Sequence, residues 1–383
     1  MKKIIVLGAT GSVGTQALDV ARKENYTVTA LSANRDADSV EKYAREFGVK
    51  ACAMADEASA KLLREKLADT DIKVYAGDSG ITEMINDVEF DTAVNSTLGM
   101  AGLMPSLAVA KKGKRLALAN KESMVIAGEI LNAVAKENGA EILPVDSEHC
   151  AIHQCLKAGE KKEVERLILT ASGGPFFGKS AEEIKTMTLD DALAHPTWKM
   201  GAKITVDSAT LMNKGFEVIE ACRLFDVPYD KVDVVVHRQS IVHSMVEFCD
   251  NSVMAQLSVP DMRFCVQYAV NYPDRCEGVT EKLDFLKIPA LTFAAPDMQA
   301  FPLLSKAYHA VKIGGALPCV LNAANEVAVA AFLSEKISFA DISELVIAAV
   351  DALEENAAKA ETLEEILSFD RLGREYVKNA ISR

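Results

Sequence analysis

The chain opens on a compact apolar run, Lys3–Leu7, closed by Gly8, and the next stretch, Ser12–Lys23, has helical spacing and no proline. That order predicts strand, turn, helix. A second β-rich run follows at 26–33, and the alternation continues through short apolar runs at 91–95, 115–119 and 140–145. Short strands interleaved with helical stretches predict a parallel sheet of right-handed βαβ units, so residues 1–145 read as a doubly wound, α/β nucleotide-binding domain. From Asp146 the character changes. Glycine- and proline-flanked turns at 171–177 and 195–201 mix with β-rich runs at Val232–Val236 and 252–259, which predicts an α+β second domain over 146–272. Pro273, Pro289 and Pro296 mark 273–298 as an extended linker. Residues 299–383 are rich in Ala, Glu, Leu and Ile, and Ser338 to Asp341 and Thr362 to Glu365 have capping-box spacing, which predicts a C-terminal helical bundle.

Composition narrows the setting. A chain of 383 residues exceeds the roughly 250 to 300 that one core serves, so two or three domains are expected. With 55 acidic against 42 basic residues the formal charge is −13, which disfavours nucleic acid and anionic membrane surfaces as partners; any phosphate must be held locally. No apolar run reaches the ~20 residues of a membrane span, and the N-terminal residues lack a small-residue cleavage site. Cys52, Cys150, Cys155, Cys222, Cys249, Cys265, Cys276 and Cys319 show no CxxC pair or framework spacing, so reduced packing thiols in a cytoplasmic protein are expected.

The candidate chemistry begins at Gly8-Ala9-Thr10-Gly11-Ser12-Val13-Gly14, between the first strand and helix. Glycines there let the backbone approach a pyrophosphate, the helix N-terminus offers N–H donors, and Thr10 and Ser12 add hydroxyls. The spacing is GxxGxxG, so a tight turn that binds nothing is the competing reading. The second strand ends in Ala33-Asn34-Arg35, where an NAD site would carry an acidic residue. Arg35 can pair with a ribose 2′-phosphate, which favours NADPH; Asp36 opposes this unless it points away, and a solvated loop arginine is the alternative.

The run 142–145 leads into Asp146-Ser147-Glu148, where residues two apart on an extended segment face one way. Asp146 and Glu148 then converge on a hard cation such as Mg²⁺ or Mn²⁺, against the alternative of a helix N-terminus capped by Asp146 or Ser147. Asn213, Lys214 and Glu217 share a face of a stretch read as helical after Gly215, a phosphosugar lining or an ordinary surface pair. His149 and His153 stand at i, i+4 beside Cys150 and Cys155, but no HExxH or second CxxC supports zinc. Ser172 beside Gly173 and Gly174 can present N–H groups to a phosphate. The segment 195–201, with His195 and the single tryptophan, Trp198, reads as a lid or as a structural corner.

The motifs GATGSVG, ALANKES, PVDSEHCA, ASGGPF, HPTWKMGAKITVDSATLMNKGFEVIEA and HRQSIVHSMVEF, in that order, resemble the signatures of the 1-deoxy-D-xylulose 5-phosphate reductoisomerase family. The resemblance implies that Thr10, Gly11, Ser12, Val13, Asn34, Arg35, Asp36, Asn120, Glu122 and Gly201 contact NADPH. It implies that Asp146, Glu148 and Glu217 bind Mg²⁺ or Mn²⁺. Lys121, Ser147, Glu148, Ser172, His195, Ser208, Asn213, Lys214 and Glu217 match substrate-contacting positions, Ser172, Ser208 and Asn213 as phosphate holders and Lys121, Glu148, His195 and Lys214 as catalytic. Asn34 and Asp36 depart from the glycine, basic residue, asparagine common at that strand end. The resemblance also implies a homodimer that rearranges a small phosphorylated ketose, by retro-aldol cleavage and re-addition, and reduces the resulting aldehyde with NADPH. Two rivals predict differently. A semialdehyde or homoserine dehydrogenase type of enzyme needs no three-carboxylate metal site, and a non-catalytic NADP-binding regulator binds cofactor without consuming it.

Overall fold

The computed structural model describes residues 1–198 and 200–382. The chain forms two compact units, each assembled from separated stretches: Met1–Ser123, Leu131–Cys150 and Asp261–Glu281 in the first, Met124–Ile130, Ala151–Pro260 and Lys282–Arg383 in the second.

The first unit is a seven-stranded sheet of β1 (Lys3–Leu7), β2 (Thr27–Ala33), β3 (Ala51–Met54), β4 (Lys73–Ala76), β5 (Thr92–Asn95), β6 (Arg115–Leu118) and β7 (Ile142–Pro144) in the order β4-β3-β2-β1-β5-β6-β7. Every pairing is parallel. Ile4 to Leu7 are wholly buried, as expected of a parallel strand covered on both faces. The chain winds outward from β1 in both directions, through β2 on one side and β5 on the other. The switch point, where ligands of such sheets bind, therefore lies at the C-terminal end of β1, at the glycine-rich turn. The strands β3 and β4 add an edge that the motif reading did not name.

The second unit holds a four-stranded sheet of β8 (Val164–Ala171), β9 (Val232–Val236), β10 (Val242–Phe248) and β11 (Val253–Leu257), ordered β11-β10-β8-β9, with β8 parallel to β9 and the other pairs antiparallel. Helices Ala202–Ala209 and Met212–Phe225 accompany it, and four more run from Pro302–Ile313 to Leu363–Ile381. The two expected capping boxes are present: Ser338 with Asp341 and Thr362 with Glu365 open the last two helices.

The boundaries differ from the expected ones in two places. Residues 261–281, expected partly in the catalytic domain and partly in a linker, belong to the first unit, because Cys265, Val266, Ala269, Val270 and Val279 pack into the hydrophobic core of its sheet. The C-terminal helices share the second unit with the small sheet and are tied to it by polar contacts: Asn325 donates to Asp207 at 2.7 Å and the Tyr308 hydroxyl to the Val232 carbonyl at 2.7 Å. Within that unit lies the break of the Lys121–Asn138 helix at Ala127, whose backbone is non-helical. Buried Arg223 donates to the Met124 and Val125 carbonyls, both at 2.6 Å, and so satisfies acceptors beside the break. Among the described residues no helix is long and apolar enough to cross a membrane, and the eight cysteines form no disulfide.

Candidate active site

In the first unit the glycine-rich turn is pinned to its sheet: the N–H groups of Gly8 and Ala9 both donate to the Ser32 carbonyl, at 3.0 and 2.8 Å. Gly14 lies against the turn so closely that a Cβ there would stand 2.1 Å from the Gly8 carbonyl oxygen. Gly11 caps the Ser12–Lys23 helix with no side-chain acceptor, and no acid occupies the first turn. Gly11 and Ser12 are exposed and Thr10 and Val13 half-buried, so the positive end of the helix is presented to an incoming anion.

At the end of β2, Asn34, Arg35 and Asp36 are all exposed. Asp36 caps the next helix, accepting the Ser39 N–H at 3.0 Å, so its carboxylate is turned to that helix N-terminus. Among the described residues Arg35 is held only by a loose ion pair with Asp56 at 3.6 Å; 79% of its side chain is in solvent, where it can swing onto a phosphate.

Asn120 is committed inside the protein. Its amide nitrogen donates to the carbonyls of Thr97 at 2.7 Å and Gly99 at 2.9 Å and to Glu122, while its oxygen caps the Lys121–Asn138 helix by accepting from Ser123. Lys121, the next residue, is buried and ion-paired with buried Asp146.

One expectation about the acids is corrected. Asp146 and Glu148 do not lie on an extended segment, because the helix Ser147–Cys155 begins between them; Glu148 is in its first turn and accepts from the Ser147 hydroxyl at 2.5 Å. Two acids at a helix start suit its dipole as well as a cation.

In the second unit the Met212–Phe225 helix starts before Gly215, not after it, on the left-handed Leu211. Its first turns hold Lys214 and Glu217, 3% and 1% exposed, as a buried ion pair. Lys214 also donates to the Thr170 carbonyl at 2.5 Å, and the Asn213 amide donates to Glu217 at 2.5 Å. The loop after β8 lies beside buried Ser208: Gly174, at φ +64°, comes so near that a Cβ would stand 2.5 Å from the Ser208 carbonyl oxygen. The segment 195–201, expected as a lid or a corner, meets the same loop. His195 Nδ1 accepts the N–H groups of Thr197 at 3.2 Å and Trp198 at 2.9 Å. The neutral ring therefore carries its proton on Nε2, 2.9 Å from the Ser172 hydroxyl. Ser172 Oγ accepts from His195 and from the Gly174 N–H at 3.3 Å, which leaves its own proton to be donated outward. Burial, and then the charge of Arg238, hold the His195 pKa below its ordinary value and keep this neutral arrangement. Gly201 caps the Ala202–Ala209 helix, and Lys199 of the lid segment lies outside the described residues.

Family models of the 1-deoxy-D-xylulose 5-phosphate reductoisomerase match residues 4–128, and models of its C-terminal domains match 142–225 and 257–376. A reductoisomerase of this name from Caldanaerobacter subterraneus subsp. tengcongensis is 52% identical over 98% of both chains. The chain belongs to the 1-deoxy-D-xylulose 5-phosphate reductoisomerase family. The family member from Acetivibrio thermocellus is 51% identical over 90% of this chain and 91% of its own. Among solved members of the family, a reductoisomerase in complex with NADPH, fosmidomycin and magnesium superposes with a TM-score of 0.95 at 38% identity, covering 100% of this chain and 98% of that one. The Zymomonas mobilis enzyme in complex with NADPH gives 0.91 at 41%, covering 99% of each.

Within the family's motifs, Arg238, Asp207 and Thr170 are engaged in ways the sequence did not announce. Arg238 is the second residue of the HRQS start of its motif, but only its contacts give it a task.

Proposed function

We propose that this chain converts 1-deoxy-D-xylulose 5-phosphate to 2-C-methyl-D-erythritol 4-phosphate, using NADPH and Mg²⁺ or Mn²⁺, as a step in the synthesis of isoprenoid precursors. The observation that carries this reading is a pair of buried ion pairs at the family's motif positions, Lys121 with Asp146 and Lys214 with Glu217. Burying four charges costs more folding free energy than apolar residues of the same size, and such groups concentrate where chemistry needs them.

Asp146, Glu148 and Glu217 hold the divalent ion on this reading; an all-carboxylate donor set suits a hard cation and not zinc. When bound, the ion polarises the ketose carbonyl and acidifies the neighbouring hydroxyl, and the nicotinamide supplies hydride. Lys121 and Lys214 stabilise the oxyanions that develop, as fixed charges shielded from water. Ser172, Ser208 and Asn213 hold the substrate phosphate, with His195 fixing the Ser172 hydroxyl and the lid excluding water. Ser147 orients Glu148 beside the substrate. Thr10–Val13, the Asn34–Asp36 corner, Asn120 with Glu122, and Gly201 contact NADPH on this reading. Residues 151–260 carry the phosphate-holding side chains, and the helices from Pro302 onward complete the same unit. NADPH absorbance after addition of the ketose phosphate tests the whole. Oxidation that requires added Mg²⁺ or Mn²⁺ is expected, and metal-independent oxidation, or none, would sink the reading.

The cofactor choice has its own test. Arg35→Ala is expected to raise the KM for NADPH about tenfold, the worth of one charge-assisted contact, and to leave that for NADH nearly unchanged. Parallel changes for both cofactors would remove the 2′-phosphate role.

A homodimer in the cytoplasm completes the proposal. The edge strand β11 exposes Val253 and Met254, and the stretch after residue 282 exposes Phe285, Leu286 and Phe293, an apolar surface of the kind that a second copy covers. Sedimentation is expected to give twice the chain mass, and Val253→Lys with Met254→Lys to shift it toward the monomer. Eight cysteines without a disulfide suit a reducing compartment.

A further inference from the structure

The turn between β9 and β10 is anchored by His237. His237 is wholly buried; its Nδ1 donates to the Thr292 carbonyl at 2.9 Å, its Nε2 accepts the Ile241 N–H at 3.3 Å, and its ring stacks on Phe293 at 4.8 Å. The next residue, Arg238, reaches from this anchored turn to the loop after β8. One guanidinium nitrogen donates to both the Ser172 carbonyl, at 3.1 Å, and the Gly174 carbonyl, at 2.6 Å, and the guanidinium lies 5.2 Å from the centre of the Phe177 ring. The Arg238 carbonyl in turn accepts the Thr197 hydroxyl of the lid at 3.4 Å.

The geometry points to Arg238 as a positioning residue for the substrate phosphate: it clamps the Ser172–Gly174 loop from behind and ties the lid corner to it. In a trans peptide the carbonyl and the following N–H point opposite ways. Drawing the Ser172 carbonyl onto Arg238 therefore turns the Gly173 N–H to the other side, where an anion would be bound. Pro175 has no N–H, so the remaining donor of the loop is the Ser172 hydroxyl, oriented by His195. Gly173 and Gly174 are both at positive φ, and Arg238 satisfies the carbonyls of Ser172 and Gly174 that flank the Gly173 carbonyl. The fixed positive charge also favours a dianionic group nearby. Among the described residues, Arg238 is the charged group whose field lowers the His195 pKa, after burial itself.

This inference rests on the reading that the loop after β8 holds the phosphate, and the experiment separates the two. Arg238→Met, Arg238→Lys and Ser172→Ala would be compared by steady-state kinetics with 1-deoxy-D-xylulose 5-phosphate, by inhibition with inorganic phosphate, and by proton NMR titration of His195. For Arg238→Met, the KM and the phosphate inhibition constant are expected to rise about tenfold or more together, with a smaller change in kcat and unchanged NADPH binding. The His195 midpoint should move up, because a lowering charge has gone. Arg238→Lys keeps that charge, so His195 should titrate as in the parent while KM stays raised, since one ammonium does not reproduce the planar fork. A merely structural role would not split the two lysine readouts. If Ser172→Ala weakens phosphate while Arg238→Met leaves KM and the inhibition constant unchanged, the clamp is wrong. If Ser172→Ala leaves both unchanged, the phosphate site itself is misplaced and the inference falls with it. Should Arg238→Met fail to fold, Arg238→Gln, which keeps a donor without the charge, serves for the same comparison.

Discussion

Glu217→Gln is expected to lower kcat by more than about 100-fold, because losing even an outer-shell partner of a metal costs about 10- to 100-fold and this residue is read as a direct ligand. NADPH affinity should stay within a few-fold, since the glycine-rich turn belongs to the other unit and is pinned by its own sheet. The substitution keeps size and shape but removes the charge that faces Lys214 in a buried position. Lys214 keeps its bond to the Thr170 carbonyl, and weakening a buried ion pair by removing one charge costs up to about 3–5 kcal/mol. A chemical denaturation curve recorded in chelator should show a loss of that size. Cofactor binding by fluorescence, metal binding by Mn²⁺ titration and turnover together make the test. Near-normal turnover, or equal loss of NADPH binding and activity, would overturn the assignment of Glu217.

Gly14→Val should produce the converse pattern: NADPH binding weakened about 5- to 150-fold, corresponding to the 1–3 kcal/mol that forced overpacking costs, with Mn²⁺ affinity retained. The atoms a Cβ would meet are backbone, not the tip of a side chain: the Gly8 oxygen at 2.1 Å and the Ala9 Cα at 2.8 Å. Relief requires either the Ser12–Lys23 helix to withdraw or the turn to open, and the two bonds to the Ser32 carbonyl resist the second. Either movement spoils the alignment of the open helix N-terminus with a pyrophosphate. Unchanged NADPH affinity in a folded Gly14→Val protein would mean that this turn does not bind the cofactor. With Glu217→Gln it forms a two-way dissociation, one variant losing chemistry and keeping cofactor, the other losing cofactor and keeping metal.

Periodicity made much of the first unit legible. The bounds of β1, of the Ser12–Lys23 helix and of β9 agree with the apolar runs, because a strand buried on both faces and a strongly patterned helix carry their signal locally. The four-residue strands β3, ACAM, and β4, KVYA, are too short for a period to stand out between helices. An extended run through Asp146 and Glu148 would set both on one face, and the helix that starts at Ser147 removes that argument. The same residues offer a capping signal and a strand continuation, and local pattern does not rank the two. Asp36 is a second case: the sequence does not say which way its carboxylate turns, and the structure sets it on the N-terminus of the next helix.

Residue order alone determined the parallel sheet, the position of the glycine-rich turn at its switch point, the capped C-terminal helices and, through the succession of motifs, membership of the family, since each is written in neighbouring residues or in short spacings. Tertiary structure decided that residues 261–281 complete the first core, that His195 carries its proton on Nε2, and that Arg238 grips the loop of Ser172 across 64 and 66 positions of chain. The reason is physical: which carbonyl a distant guanidinium meets, and which thiol or valine fills a remote core, depend on how strands and helices pack, and packing is a property of elements brought together from far apart in the chain.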